Sequence, residues 1–362
     1  MDRGEDRNWR LPRVAAIGCG HWGKNIARNF SRLGALHAVC DSNPVAAFKL
    51  ASDFGVPARS LADVLSDPGC DAIALASPAA MHGEHVRHAL SAGKHVFVEK
   101  PLALNVSDGR DLARLARKKS RVLMVGHLLR YHPHVLKLID LVREGRLGQI
   151  RRIFARRQSP GRLRSEEDVL WSFAPHDLSL ILAIVGEMPR RVWAEGSAIL
   201  IPSVLDMATI HMKFATGIAA RVHVSWLNPY KEQKFTVVGS AATAIFDDRA
   251  DWADKLLLYQ HDIVFRDGRP WAVNTEPTRF CLEHREPLHE ECAHFLHAVS
   301  TGASPRTDSD EALAVLSILD AATRSLDTGK HTSPKALRPR RAPRLYNGGK
   351  VRSVEPALVA LD

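Results

Sequence analysis

Apolar and polar positions alternate along the first third of the chain in a repeating rhythm. Residues 14–17 are small and apolar, and residues 21–33 then carry apolar side chains at helical spacing (Trp22, Ile26, Phe30, Leu33). A second apolar run covers 36–40. The spacing predicts helices over 44–54, 61–65, 82–91 and 105–119, and strands near Ala58 and over 71–76, 94–98 and 122–125. Short apolar strands alternating with amphipathic helices imply βαβ units and a parallel sheet covered on both faces.

The rhythm changes after about residue 128. Helices are predicted over 133–144 and 175–185, separated by an arginine-rich segment whose residues 149–157 can be read as a strand. Strand-like runs follow at 190–197, 204–214, 217–226, 232–239, 243–248 and 255–259. Turn signals such as Ala215-Thr-Gly217 and Gly239-Ser240 join several of them and suggest an antiparallel meander. Two more helices are predicted, over 289–300 and 308–326. The pattern thus divides the chain into an α/β domain (1–128), an α+β domain (129–328) and a Pro-, Arg- and Gly-rich tail (329–362) with little periodicity, expected to be extended or disordered.

Composition narrows the class. With 362 residues, 45% hydrophobic and 25% charged, the chain suits a two-domain globular protein. No apolar run approaches the roughly eighteen residues that would suggest a membrane span, and the charged first thirteen residues lack the apolar stretch of a secretory signal. Five scattered cysteines without a CxxC pair argue for reduced thiols, a cytoplasmic setting and no structural metal. Of the net charge of +10, the segment from Lys330 onward supplies +6, from eight Lys/Arg against two acids. That tail has a single aromatic, Tyr346, so a nucleic-acid arm is disfavoured.

The chemistry starts at Gly18-Cys-Gly20-His-Trp-Gly23, between the first strand and the first helix. Gly18 permits the tight turn, Gly20 lets backbone approach a pyrophosphate, and Gly23 lets the helix pack close to the strand. Phosphates would sit on the helix N-terminus, where N–H groups and the dipole favour negative charge. The second strand ends in Asp41, eighteen residues after Gly23, where a carboxylate meets ribose hydroxyls and repels a 2′-phosphate. NAD is therefore expected over NADP, with Ser42 able to soften the preference.

Ligands of an open parallel sheet bind outside the carboxyl ends of its strands. Those ends carry Ser77-Pro78, Glu99-Lys100-Pro101 and Gly126-His127. A lysine at such a buried mouth loses hydration, which lowers its pKa toward neutrality. Glu99 could orient it, and Pro101 could fix the backbone through a cis bond. A second group is Trp171-Ser-Phe-Ala-Pro175-His176-Asp177. Pro175 suits a first helical turn, so the dipole would keep His176 neutral and ready to accept a proton. A third is Arg151, Arg152, Arg156, Arg157, Arg162 and Arg164, with no acid between 151 and 165. In a strand, Arg151 and Arg157 share one face and Arg152 and Arg156 the other. A subset could grip an anionic substrate through forked hydrogen bonds.

These residues carry a resemblance. The glycine turn, Ser77-Pro78, the run Ala92-Gly-Lys-His-Val-Phe-Val-Glu-Lys-Pro101 and the later histidine resemble the glucose–fructose oxidoreductase/inositol dehydrogenase (Gfo/Idh/MocA) family, over nearly the whole chain to about residue 328. Gly20-His-Trp-Gly-Lys-Asn25, Gly126-His-Leu-Leu-Arg-Tyr-His-Pro133, Val169-Leu-Trp-Ser-Phe-Ala-Pro-His-Asp177 and Glu286-Pro-Leu-His-Glu-Glu-Cys292 are similar to its branch that oxidises C3 of UDP-N-acetylglucosaminuronic acid for bacterial surface polysaccharides. The resemblance implies a Rossmann domain followed by a domain on a large, mostly antiparallel sheet, hydride transfer between NAD(P) and a sugar-type hydroxyl, and a homodimer or homotetramer. It implies catalysis by Lys100 and His176. Gly18, Gly20, His21, Trp22, Gly23, Asp41, Ser77, Pro78, His82, Glu99 and Lys100 are expected at the cofactor. Lys100, His127, Arg130, Arg157, Arg162, Arg164 and Asp177 are expected at the substrate. Many members place an aspartate four residues before the histidine; this chain has Ser172 there. The alternatives are a free-sugar or inositol dehydrogenase, an NADPH-dependent ketosugar reductase, and a regulator that senses dinucleotide without catalysis.

Overall fold

The computed structural model describes residues 10–160, 167–261, 263–273 and 276–334. Five parallel strands form the first sheet: β1 (Val14–Ile17), β2 (Leu36–Cys40), β3 (Ala72–Leu75), β4 (His95–Glu99) and β5 (Leu123–Gly126), in the order β2-β1-β3-β4-β5. Its central strands are continuous apolar runs because helices cover both faces. These are α1 (Gly23–Arg32), α2 (Pro44–Phe54), α3 (Leu61–Ser66), α4 (Ala79–Ser91) and α5 (Val106–Lys118). The chain leaves β1 for one side and later returns to place β3 on the other. The carboxyl end of β1, with its glycine turn, therefore opens on the crevice where the strand order reverses.

One expected strand is missing. Near Ala58 the chain makes a single parallel bridge to Val39 and goes no further. Pro57 offers its carbonyl to the Val39 N–H but has no N–H of its own to extend a ladder.

After α6 (Pro133–Arg143) comes β6 (Arg152–Gln158), then α7 (Val169–Val185) and the strands β7 (Arg191–Ser197), β8 (Met207–Lys213), β9 (Ala219–Ser225), β10 (Glu232–Val238), β11 (Ala242–Asp247) and β12 (Leu256–Gln260). A small hairpin, β13 (Ile263–Arg266) with β14 (Arg269–Ala272), stands apart, and β15 (Thr278–Arg279) closes one edge. The eight-stranded sheet runs β15-β12-β11-β10-β6-β9-β8-β7. It departs from a plain meander, because β6 is inserted between β9 and β10, parallel to the first and antiparallel to the second. β6 alternates as a half-buried strand should. Ile153, Ala155 and Arg157 face inward while Arg152, Phe154 and Arg156 face out. Arg151 precedes the strand and is exposed.

α7 begins six residues before Pro175. Asp168 caps it by accepting the Trp171 N–H at 3.0 Å, and the apolar Val169 and Leu170 are buried in the first turn. Pro175 therefore lies inside the helix, where its missing N–H interrupts the bonding ladder. The last two helices return to the first sheet's layers. α8 (Pro287–Thr301) lays Phe295 against Phe30 of α1 and Phe97 of β4, with ring centroids 6.1 and 5.8 Å apart. α9 (Ser309–Thr328) packs against α5, α7 and β7.

Candidate active site

The glycine turn is built as its residue types require. Gly18 has φ +93°, and a Cβ there would lie 2.7 Å from the Ala76 carbonyl oxygen. A Cβ on Gly23 would come within 1.7 Å of the Gly18 carbonyl oxygen. Gly20 is different: a Cβ there would meet nothing within 4 Å, so protein packing does not demand a glycine. The Trp22 side chain makes no cap hydrogen bond to α1, and no acid stands in its first turn. Asp41 accepts the backbone N–H groups of Cys19 at 2.5 Å and Asn43 at 2.8 Å, which fixes its carboxylate at the rim of the turn.

Next along the sheet edge, Ser77 Oγ meets His85 Nδ1 at 3.1 Å, and Pro78 leads into α4. His82 was expected at the cofactor, but its ring is buried. Its Nδ1 lies 2.7 Å from the Pro101 carbonyl oxygen and its Nε2 lies 2.8 Å from that of Ser77. It clamps the two strand-end loops together from behind.

Glu99 accepts a hydrogen bond from the Trp22 indole, which links the end of β4 to the glycine turn. Burial pushes the Glu99 carboxyl up to about 7, although the indole and Lys100 pull the other way. A Cβ on Gly126 would lie 3.0 Å from Glu99 Oε1, so the glycine ending β5 makes room for that side chain. The Lys100–Pro101 peptide is cis. Lys100 Nζ donates to the Ser172 carbonyl oxygen at 2.8 Å, bringing the lysine after β4 onto the helix that carries His176.

His176 stands in the second turn of α7, not the first, so the helix dipole is not what keeps it neutral. Its pKa is held well below the usual histidine range by burial, then by the charges of Arg157, Lys100 and His127. Its Nδ1 is buried without a hydrogen-bond partner. Ser172 is buried one turn earlier, its hydroxyl likewise unpartnered, and it serves Lys100 through its backbone.

Two further pairs complete the wall. Arg157 grips Asp177 bidentately, Nε to Oδ2 at 2.8 Å and Nη2 to Oδ1 at 3.1 Å, so both enter as a neutralised buried pair. His127 Nδ1 lies 2.7 Å from Glu311 Oε2, with both side chains almost wholly buried. Arg130 Nη1 approaches the other Glu311 oxygen at 3.7 Å. Arg162 and Arg164 lie outside the described residues. Among the described residues no His/Cys/Asp/Glu group could hold a metal ion.

Two family models match the chain. Residues 12–127 match the Gfo/Idh/MocA oxidoreductase family, NAD-binding Rossmann fold, and residues 135–245 match the Gfo/Idh/MocA C-terminal domain. The chain belongs to the Gfo/Idh/MocA oxidoreductase family. It is 31% identical to UDP-N-acetylglucosamine 3-dehydrogenase of Acidithiobacillus ferrooxidans over 59% of this chain and 66% of that one. A crystal form of the same enzyme superposes with a TM-score of 0.77, at 26% identity over 87% of this chain and 97% of that chain. Inositol 2-dehydrogenase of Rhizobium meliloti is 25% identical over 87% of this chain and 96% of its own.

A Gfo/Idh/MocA enzyme is an NAD-binding oxidoreductase, and the residues present fit that cofactor. The open space beside Gly20, where a Cβ would meet nothing within 4 Å, has room for a pyrophosphate. The partly exposed Asp41 carboxylate has lone pairs beyond its two backbone bonds for ribose hydroxyls. Sequence reasoning missed Glu311. The spacing Asp308-x-x-Glu311 resembles a helix-capping box, which suggests a local partner for the glutamate, and only the fold turns it to His127.

Proposed function

We propose that this Gfo/Idh/MocA enzyme oxidises the C3 hydroxyl of a UDP-linked N-acetylhexosamine, or of its uronic acid, in the cytoplasm. The observation that carries the catalytic part is the bond from Lys100 to the helix bearing His176, since it joins a cation and a neutral imidazole at the carboxyl edge of the sheet. Nicotinamide, when bound, supplies the hydride acceptor. His176, kept neutral by burial and surrounding cations, takes the hydroxyl proton. Lys100 holds the reacting oxygen and stabilises the negative charge that develops on it. Arg157 stands as a pair with Asp177, so the pair orients the wall of the site, and at most the remaining N–H groups of Arg157 reach a substrate anion.

The relation to a UDP-N-acetylglucosamine 3-dehydrogenase supports the sugar nucleotide. The nearly full-length match to an inositol dehydrogenase supports a cyclitol as the second reading. Steady-state kinetics with NAD on UDP-N-acetylglucosamine, UDP-N-acetylglucosaminuronate and myo-inositol decide between them. Turnover of either UDP-sugar above that of inositol is expected, and inositol as the sole substrate overturns the reading. The homo-oligomer would form through the outer face of the large sheet, where Phe154 is 40% exposed beside a cavity of about 520 Å³ that Arg156, Glu195, Arg221 and His223 also line. Light scattering should then show Phe154→Glu dissociating; an unchanged mass removes that face from assembly.

A further inference from the structure

Arg157 is gripped on one side by the helix that carries His176. Its Nε and Nη2 donate to the two oxygens of Asp177, the residue after His176, at 2.8 and 3.1 Å. A fork onto one carboxylate keeps the two planar groups in register but lets the guanidinium swing about the line that joins them. A third bond, from a different element, stops that swing, and β10 supplies it. Gln233 stands directly opposite Arg157 in the antiparallel β6–β10 ladder, so the two side chains share the inward face. With its amide turned as its neighbours require, Gln233 accepts from Arg157 Nη1 at 3.2 Å and donates to Asp248 Oδ2 at 3.2 Å.

Asp248 is fixed in turn. It follows β11, and its N–H donates to the Gln233 carbonyl oxygen at 2.9 Å. Lys255, just before β12, donates through Nζ to Asp248 Oδ1 at 3.0 Å and also to its carbonyl oxygen. Asp177, Arg157, Asp248 and Lys255 thus form a row of alternating charge, joined at its middle by the neutral Gln233 amide. The side chains of Arg157, Asp177 and Lys255 are 10%, 3% and 13% exposed, so water competes little for these bonds. The row leaves Arg157 with a fixed remainder. Of its five N–H donors, two go to Asp177 and one to Gln233, which leaves one on each Nη nitrogen.

We propose that Gln233 is a positioning residue for substrate binding: it locks Arg157 so that the two uncommitted N–H groups meet an oxyanion of the sugar nucleotide. Asp248 acts one step further out, by holding the Gln233 amide. The oxyanion is a phosphate group of the diphosphate or the carboxylate of a uronic acid, since arginine meets both through paired N–H bonds. An arginine set in advance loses less freedom on binding than one the substrate must immobilise. Gln233 acts through Arg157 alone, so it governs binding and not the hydride step. The inference rests on the proposed sugar-nucleotide substrate.

Gln233→Met tests it, because the thioether keeps the length of the side chain and removes both hydrogen-bonding functions. With NAD saturating, KM for UDP-N-acetylglucosamine or its uronic acid should rise about tenfold, while kcat and NAD affinity stay within about threefold. Calorimetry with the NADH-bound protein, which cannot oxidise the sugar, should show the same loss of affinity. Asp248→Ala should give a smaller rise in KM, and the double variant should be no worse than Gln233→Met alone, since Asp248 acts through the amide. If Gln233→Met does not fold, Gln233→Asn, which draws the amide back by one methylene, is the second variant, with KM again expected to rise. A loss with both UDP-sugars assigns the two Arg157 groups to the diphosphate, and a loss with the uronate alone assigns them to its carboxylate. Unchanged KM with both sugars, a loss that falls equally on kcat and NAD affinity, or additive losses in the double variant overturns the positioning role. A wild type that neither binds nor oxidises a UDP-sugar overturns the proposed substrate instead, and that result is read before any variant is made.

Discussion

The glycine turn and the surroundings of His176 lie on the same edge of the parallel sheet and are built in opposite ways. The turn works through backbone, and six consecutive residues shape it. Its two packed glycines, Gly18 and Gly23, answer to each other and to Ala76, and Gly20 leaves open space. The His176 site works through side chains brought together from five separate elements. Lys100 follows β4, His127 follows β5, Arg157 lies on β6, His176 on α7 and Glu311 on α9. Binding phosphate needs N–H groups and room, which a short segment supplies. Moving a proton needs desolvated groups whose charges act on one another, and only converging elements can supply them.

The largest expected effect separates two glycines of one turn. Gly23→Ala should destabilise the protein by more than about 3 kcal/mol, because a Cβ within 1.7 Å of a carbonyl oxygen forces backbone to move. Gly20→Ala should change stability by less than about 0.5 kcal/mol while weakening NAD about tenfold. Denaturant melts and fluorescence titration measure both, and equal stability losses would mean the turn is a packing motif only.

Lys100→Ala and His176→Ala come next. Each should lower kcat on the order of 10²-fold or more and leave NAD affinity within about threefold. A matching loss of NAD affinity would erase the contrast between the two regions.

Glu99 joins them, and its effect reads out as stability against pH. Its folded pKa is raised from 4.5 to about 7, so the folded state binds the proton more tightly than the unfolded state. Its contribution is therefore fully present below pH 4.5 and is lost as pH rises through 7. Without dinucleotide, Glu99→Gln should gain stability relative to wild type across that window, on the order of 2 kcal/mol. A pH-independent difference between the two proteins would show that Glu99 is ionised throughout.

Asp41→Ala should have the smallest effect, narrowing the preference for NAD over NADP by about tenfold, or 1.4 kcal/mol. Its carboxylate also holds the Cys19 and Asn43 N–H groups, so a small loss of stability should accompany the change. Equal wild-type affinities for the two dinucleotides would remove Asp41 as the discriminator.

Sequence alone determined the parts whose physics is local. The alternation of buried strands and amphipathic helices set the parallel sheet, and the three glycines with Asp41 set a dinucleotide site. The run ending in Lys100 and the later His176 marked the two catalytic candidates. The tertiary structure decided what depends on distant partners. Pro175 suggested a helix start, but the Asp168 cap and the burial of Val169 and Leu170 begin α7 earlier and move His176 away from the helix end. Its neutrality comes from burial and cations on other elements, which no spacing rule contains. Arg157 was legible as an inward-facing arginine, but its bond to Asp177 depends on α7 crossing over β6. β6 itself pairs with β9, 67 residues downstream, and with β10, 74 to 86 residues downstream, and a strand's hydrophobic pattern does not name its neighbour. Glu311 shows the same limit at its sharpest. A carboxylate one turn into a helix satisfies a local rule wherever it occurs, and only the packing of α9 beside β5 brings it to a histidine 184 positions away.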